Sequence, residues 1–505
     1  MELEKHNRKN NYNLMLKITQ AILIILIITI EFGKTQEQKS IHQIEWERHN
    51  NDSSTTRKSG LSTNIIPLNI NLADQKELQG VVFGFLPYWV YNNPPLYFQF
   101  DLLTHIALFS FSVNANTGTI SNPDNWPWTD LINAAHANGV KVVMCIVEFD
   151  NDNIHKIITN LSVKNAFFQN VRSIIETYQL DGINIDFEGL HKVDRANYIN
   201  PFMADLTEYV HSNIGDDIEV SFDVPAVNWG GWNFSGLADA CDYLFIMGYD
   251  FFGSWSSNAG PSAPLTGGNY NINRTLTDVN SGFGMVVNNN PEKLILGVPY
   301  YGNKWRTSNV NENAPAVQYI GSRTYASAKS ELGLQQPSWS TKYNTPWYNI
   351  ESSGNIYQTW FDNDSSLGLK YKLAKSKNLK GVGIWALGYD SYHPELWDLL
   401  RDEFYLSIEN TSHDEFRILR NYPNPFNSST TIEYEILADE KVVINIYNIL
   451  GEKIVQLMNE FQQAGQYSIL YNVDSNSKSI LPSGTYFYQI TTDSFSEVKK
   501  MVLLR

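Results

Sequence analysis

Eight short apolar runs between residues 81 and 386, separated by longer polar or helix-periodic stretches, constrain this chain more than any other feature. They are VVFGFL (Val81–Leu86), HIALFSFSV (His105–Val113), KVVMCIV (Lys141–Val147), GINIDFE (Gly182–Glu188), EVSFDV (Glu219–Val224), YLFIMGY (Tyr243–Tyr249), LILGVP (Leu294–Pro299) and GVGIWA (Gly381–Ala386). Near-continuous apolar strands alternating with helices imply a parallel sheet covered on both faces. Ser162 is placed to cap a helix carrying Ala166, Phe167, Val171, Ile174, Ile175 and Tyr178 at helical spacing. Asp194–Val210 and Glu395–Phe404 are further helix candidates. Eight such units over 80–405 fit a (β/α)8 TIM barrel, an α/β fold. The competitor, a doubly wound sheet, lacks a G-x-G-x-x-G after the first run.

The 505 residues hold more than this barrel. Lys5, Arg8, Lys9 and Lys17 precede the apolar run Ala21–Ile30, which is shorter than the roughly 20 residues a spanning helix needs, so 1–35 read as an export signal. An uncleaved anchor is the alternative. Residues 36–79, rich in polar side chains and without a sustained period, read as a low-order linker. Between the seventh and eighth runs, residues 302–379 are too long for a barrel loop and contain a hairpin-like stretch turning at Ser353-Gly354, so a small α+β insertion is expected there. After a linker at 406–413, residues 414–505 alternate as a small all-β sandwich. Of the 13 tryptophans, one is Trp46 and the other twelve lie between Trp89 and Trp397, which separates the barrel from the tail.

A net charge of −16, from 37 Lys+Arg against 53 Asp+Glu, argues against a nucleic-acid partner. Cys145 and Cys241 are too few for a disulfide framework or a structural zinc site and read as buried small hydrophobes.

Chemistry concentrates in Asp181-Gly182-Ile183-Asn184-Ile185-Asp186-Phe187-Glu188. On a strand, Asn184, Asp186 and Glu188 share one face, and in a barrel that face points inward. Buried carboxylic acids carry a desolvation cost and so need a reason. Asp186 and Glu188, two positions apart, are close enough for repulsion to raise one pKa and keep a general acid protonated near neutral pH. Glu188, nearest the C-terminal end of the strand, is the expected acid. A structural pairing of these acids with an Arg or a loop is the alternative.

The octapeptide resembles the DGxxxDxE signature of glycoside hydrolase family 18, the chitinases and their relatives. Met247-Gly248-Tyr249-Asp250 looks like that family's M-x-Y-D, GFLPYW like its first-strand opening, and Trp385 sits where the family keeps a sugar-stacking tryptophan. The resemblance implies substrate-assisted, retaining hydrolysis of β-1,4-linked N-acetylglucosamine polymers, without a metal or organic cofactor. It implies that Glu188 protonates the leaving oxygen, Asp186 orients the 2-acetamido group and Tyr249 bonds its carbonyl. Asp250, Trp385, Met247, Asn184 and Asp181 are the expected substrate-binding set. Trp89, Trp229, Trp232 and Trp255 follow strand ends and either line a sugar cleft or pack loops.

Two departures stand out. Asn184 replaces an Asp found in many chitinases; it is expected to hydrogen-bond Asp186 and let it ionise more readily. Cys145-Ile146-Val147-Glu148 replaces an S-x-G-G motif. Both look like the branch containing spore-cortex and cell-wall N-acetylglucosaminidases, so chitin and peptidoglycan stay open as substrates, as does a non-catalytic lectin on the same barrel. The tail, from NYPNPFN through L-G-E-K and G-T-Y-F-Y to KKM-x-L-L, resembles the sorting domain of type IX secretion. A secreted or cell-surface monomer, acting on a polysaccharide and handled by the type IX machinery, is the expectation.

Overall fold

The computed structural model describes residues 39–50, 65–68, 78–92, 98–391 and 393–405, then 416–424, 426–436, 438–448, 453–476, 481–492 and 496–503. The expected signal at 1–35 and the linker at 406–413 lie outside the described residues. The chain divides into two compact units, meeting in sequence between Leu406 and Ser407.

In the first unit the eight apolar runs form eight parallel strands: β1 (Val81–Pro87), β2 (His105–Val113), β3 (Lys141–Glu148), β4 (Gly182–Phe187), β5 (Glu219–Pro225), β6 (Tyr243–Met247), β7 (Leu294–Pro299) and β8 (Gly381–Trp385). Each pairs with its sequence neighbour, and β8 pairs with β1 (Gly381 opposite Val81), closing the barrel. Closure removes every sheet edge and satisfies the strand backbones internally.

Aromatic rings fill the barrel's interior. Phe83, Phe85, Tyr243 and Phe245 are fully buried and meet mostly edge to face. Opposite Phe245 the chain uses glycine: a Cβ on Gly383 would lie 2.0 Å from that ring. Above this apolar floor sits a polar layer of Asn184, Asp186, Ser221 and Asp223, all essentially buried. Leu161–Tyr178 forms the expected helix, but its cap is Asn160, whose side chain accepts from the Ser162 and Val163 N–H groups, rather than Ser162.

Between β7 and β8 the expected α+β insertion is present. Its five-stranded antiparallel sheet runs Ala316–Thr324, Tyr301–Thr307, Asn355–Phe361, Thr345–Ser352 and Ser338–Ser340, with helix Tyr325–Leu332 alongside. The hairpin turns at Ser353 and Gly354, both at positive φ, between the paired Ser352 and Asn355. The sheet ends at Phe361, earlier than the sequence suggests. The following helix, Asp364–Ser376, begins in a capping box on Asn363 and lies against β7 and β8, so it is a barrel crossover rather than part of the insertion.

The second unit has a three-stranded sheet (Phe416–Tyr422, Ser429–Ile436, Gly465–Asn472) and a four-stranded sheet (Lys453–Gln462, Glu440–Asn448, Gly484–Thr491, Ser496–Leu503). Its core joins alternate residues of both, among them Ile432, Tyr434, Ile444, Ile446, Tyr488 and Met501.

The reading of 36–79 as featureless linker is corrected at its start. Residues Ile41–His49 form a helix, α1, in the first unit. The sequence carried a signal for it: Ser40-x-x-Gln43 is spelled as a capping box, and the Ser40 hydroxyl accepts from the Gln43 N–H. Further on, Ile66 donates its N–H to Asn133 Oδ1 (2.7 Å) and accepts from His136 Nδ1 (2.6 Å), fixing a second point of this segment to the barrel.

Candidate active site

The C-terminal ends of β4, β5, β6 and β8 bring Asp186, Glu188, Asp223, Tyr249, Asp250 and Trp385 to one face of the barrel. Glu188 follows β4 directly, its N–H donating to the Glu148 carbonyl at 3.0 Å, which fixes the side chain at the strand's end. Burial first, and the charge of Asp186 second, push the Glu188 carboxyl up to about 8, so it is protonated at neutral pH. Burial likewise raises Asp186 to about 8. Asp250 is left-handed (φ 61°); its Oδ1 accepts from Tyr301 at 2.5 Å, and its N–H donates to Ser262 Oγ at 3.1 Å. Trp385 is fully buried at the end of β8. Met247 ends β6 and is 7% exposed.

Two expected residues behave differently. Asn184 lies beneath Asp186, but its amide donates to Asp223 Oδ1 (2.7 Å) and Ser221 Oγ (3.1 Å), not to Asp186. The expected easing of Asp186 ionisation by Asn184 is therefore replaced by the opposite environment. A second buried carboxyl, Asp223 on β5, stands beside Asp186, and burial together with the Asp186 charge pushes it well up. Asp181 precedes β4 and so lies at the other end of the barrel. There its Oδ2 accepts from His136 Nε2 (2.9 Å) and the Val142 N–H (2.7 Å), a structural strut rather than a substrate contact.

Of the rim tryptophans, Trp89 is buried and donates to Tyr389 at 3.2 Å, Trp232 stacks on Phe234, and Trp229 is 54% exposed with its edge toward Tyr270. Glu148, the last residue of the segment that departs from S-x-G-G, accepts from the N–H groups of Phe149 and Asp150, both at 3.0 Å.

Sequence reasoning missed Asp223, because EVSFDV reads simply as a strand, and it missed the segment that fills the site. Ser40 Oγ donates to Glu188 Oε1 at 2.7 Å, and the Ile41 N–H donates to Asp250 Oδ2 at 2.7 Å. His42 lies with Nδ1 2.9 Å from Asp186 Oδ2 and Nε2 2.8 Å from the Tyr249 hydroxyl. Its ring stacks on Trp385, centroids 3.8 Å apart. Burial pushes His42 down to about 4, so the imidazole is neutral and donates from one nitrogen while accepting at the other. Glu45 bonds Tyr389 and, at 3.3 Å, accepts from Trp385 Nε1; burial raises it to about 7. His42, Asp186 and Asp223 bring one ligand atom each within 4.8 Å of one another, a cluster that hydrogen bonding accounts for.

Comparison with known proteins places the barrel in a family. Human di-N-acetylchitobiase is 27% identical over 311 residues, covering 54% of this chain and 76% of the relative. The cortical fragment-lytic enzyme of Bacillus subtilis is 24% identical over 323 residues, 60% of this chain and 68% of the relative. Among solved structures, a family 18 chitinase of Cycas revoluta in complex with (GlcNAc)3 matches with a TM-score of 0.56 at 22% identity, covering 64% of this chain and 99% of its own. A Group IV chitinase of Ostrinia furnacalis matches with the same TM-score at 20% identity, likewise over 64% and 99%. Residues 420–504 match the secretion system C-terminal sorting domain of type IX export, which marks the chain for delivery outside the cell. Residues 81–390 match the model of glycosyl hydrolases family 18, and the chain, a glycosidase, belongs to that family.

Proposed function

We propose that this barrel hydrolyses β-1,4-linked N-acetylglucosamine polymers with retention of configuration, using the substrate's own acetamido oxygen as nucleophile. The observation that carries this is the convergence of Glu188, protonated at neutral pH, with Asp186, Tyr249 and the Trp385 face on one small volume.

Glu188 gives its proton to the departing glycosidic oxygen and then, as carboxylate, takes one from the incoming water. Asp186 accepts from the acetamido N–H and so orients the group for attack, while the Tyr249 hydroxyl bonds the acetamido carbonyl. Asp250, oriented by Tyr301 and Ser262, binds the sugar, and Trp385 forms the floor beneath the ring. The insertion after β7 supplies a wall that deepens the cleft, which favours chains over single sugars.

Purified protein incubated with chitohexaose and, separately, with peptidoglycan tests this reading. Hydrolysis of either, lost about 1,000-fold in Glu188→Gln, supports it and identifies the polymer. Undiminished activity in Glu188→Gln overturns the assigned acid. Tight chitohexaose binding with no cleavage of either polymer, after release of residues 39–50, converts the reading to a lectin.

A further inference from the structure

We infer that residues 39–49 are an inhibitory segment of this chain, seated in the saccharide cleft in place of a sugar, and that the glycosidase is latent until they leave. This rests on the glycosidase reading above.

One short segment engages every group the chemistry needs. Ser40 occupies the Glu188 oxygen nearest to it, so the acid cannot face a glycosidic oxygen from that side. The backbone at Ile41 takes Asp250. His42 takes Asp186, Tyr249 and the Trp385 face together, with none of its own surface left exposed. Beyond it, Glu45 caps the Trp385 indole N–H and His49 stacks on Trp89, centroids 4.6 Å apart, extending the block along the rim. A sugar ring and the His42 ring cannot both lie on Trp385.

The segment is also built to hold its shape there. Its first turn is capped by the same Ser40 hydroxyl that reaches Glu188, since a hydroxyl donates once and still accepts. Arg48 sits in the last turn, where positive charge suits the helix C-terminus. Having no glycosidic bond, it is not consumed. The groups it covers are held by the barrel's own strands and by contacts such as Tyr301 to Asp250, so its departure leaves the site assembled.

Tethering makes weak contacts sufficient. A covalent tether of this length gives an effective concentration of about 1 mM, so a segment binding at about 10 μM in isolation would leave only about 1% of clefts open. Residues 51–64 connect α1 to the anchor at Ile66, and cutting there frees the segment to dissociate.

The test uses the full chain with a specific protease sequence placed within 51–64, assayed before and after cutting, and the uncut His42→Ala variant, whose change lies outside the barrel. A rise in kcat/KM on chitohexaose of about tenfold to a hundredfold in both, reversed by a synthetic peptide of residues 38–50 but not by its His42→Ala version, supports the inference. Equal activity before and after cutting, and in His42→Ala, overturns it and leaves the glycosidase reading standing. If no form hydrolyses, the glycosidase reading fails, and peptide binding decides the segment's role. Labelled peptide bound by cut protein and displaced by chitohexaose supports an occluded saccharide site; peptide not displaced overturns it.

Discussion

Asp223 and Asn184 show what a single residue can hide. The polar face of β4 was legible from alternation alone, and it places Asp186 and Glu188 as expected. What alternation along one strand cannot reveal is the neighbour across the ladder: Asn184 is paired in register with Ser221, and two positions on stands Asp223. Asp186 Oδ1 and Asp223 Oδ2 have no hydrogen-bond partner among the described residues, while their atoms belong to one tight cluster. Burial alone raises Asp186, whereas the Asp186 charge further raises Asp223, so Asp186 ionises beside a neutral Asp223. Asp223→Asn keeps a neutral neighbour and should leave the acid limb of the pH–rate curve in place; rate–pH curves of the released enzyme check this, and a limb moved down by about one unit refutes it. Asn184→Asp should cost about 2–4 kcal/mol at pH 7, since it replaces a donor with a third buried acid. Carboxyls whose folded pKa lies above the unfolded value lose stability as pH rises toward the folded value, so that cost should shrink on acidifying from pH 8 to 5 in denaturant melts.

Elements differ in how far sequence discloses them. The barrel strands were legible because burial on both faces leaves long apolar runs, and the hairpin because Ser353-Gly354 supplies the positive φ its turn requires. The helix α1 was hidden because it has no apolar stripe of its own; its side chains are matched to polar groups of the cleft, which no period in 41–49 can report. Asp181 misled for a related reason: a signature read as one unit spans a strand, so its first residue serves the opposite end of the barrel from its last. The base of the barrel has its own polar lock. Glu219 on β5 meets His105 of β2 at 2.7 Å and Lys141 of β3 at 2.6 Å. Although burial opposes ionisation, His105 and Lys141 hold its carboxyl well below the usual range. A depressed pKa gives stability that is present above the unfolded value and lost as pH falls below it. Glu219→Gln should cost about 2–3 kcal/mol at pH 7, with wild type and variant melting curves converging below about pH 4. Parallel curves across that range would contradict the assignment.

At the scale of the molecule, sequence boundaries follow physical ones: the aromatic-rich unit carries the chemistry, and the tryptophan-free tail forms a separate core of its own. The match of that tail to a sorting domain fits an enzyme that travels before it works, and a cleft closed by its own chain would keep it silent on the way. Removal of residues 414–505 should leave kcat/KM of the released enzyme within about twofold, because the barrel's core is complete without them, while delivery outside a native-like host is lost; activity falling with the tail would contradict this division. The central claim is that the substrate's acetamido group does the nucleophilic work between Asp186, Tyr249 and Glu188. Proton NMR of the first reducing ends formed from chitohexaose by the released enzyme tests it most directly. The β-anomer is predicted to appear first and decay toward the equilibrium mixture, whereas an initial α-anomer would contradict the account.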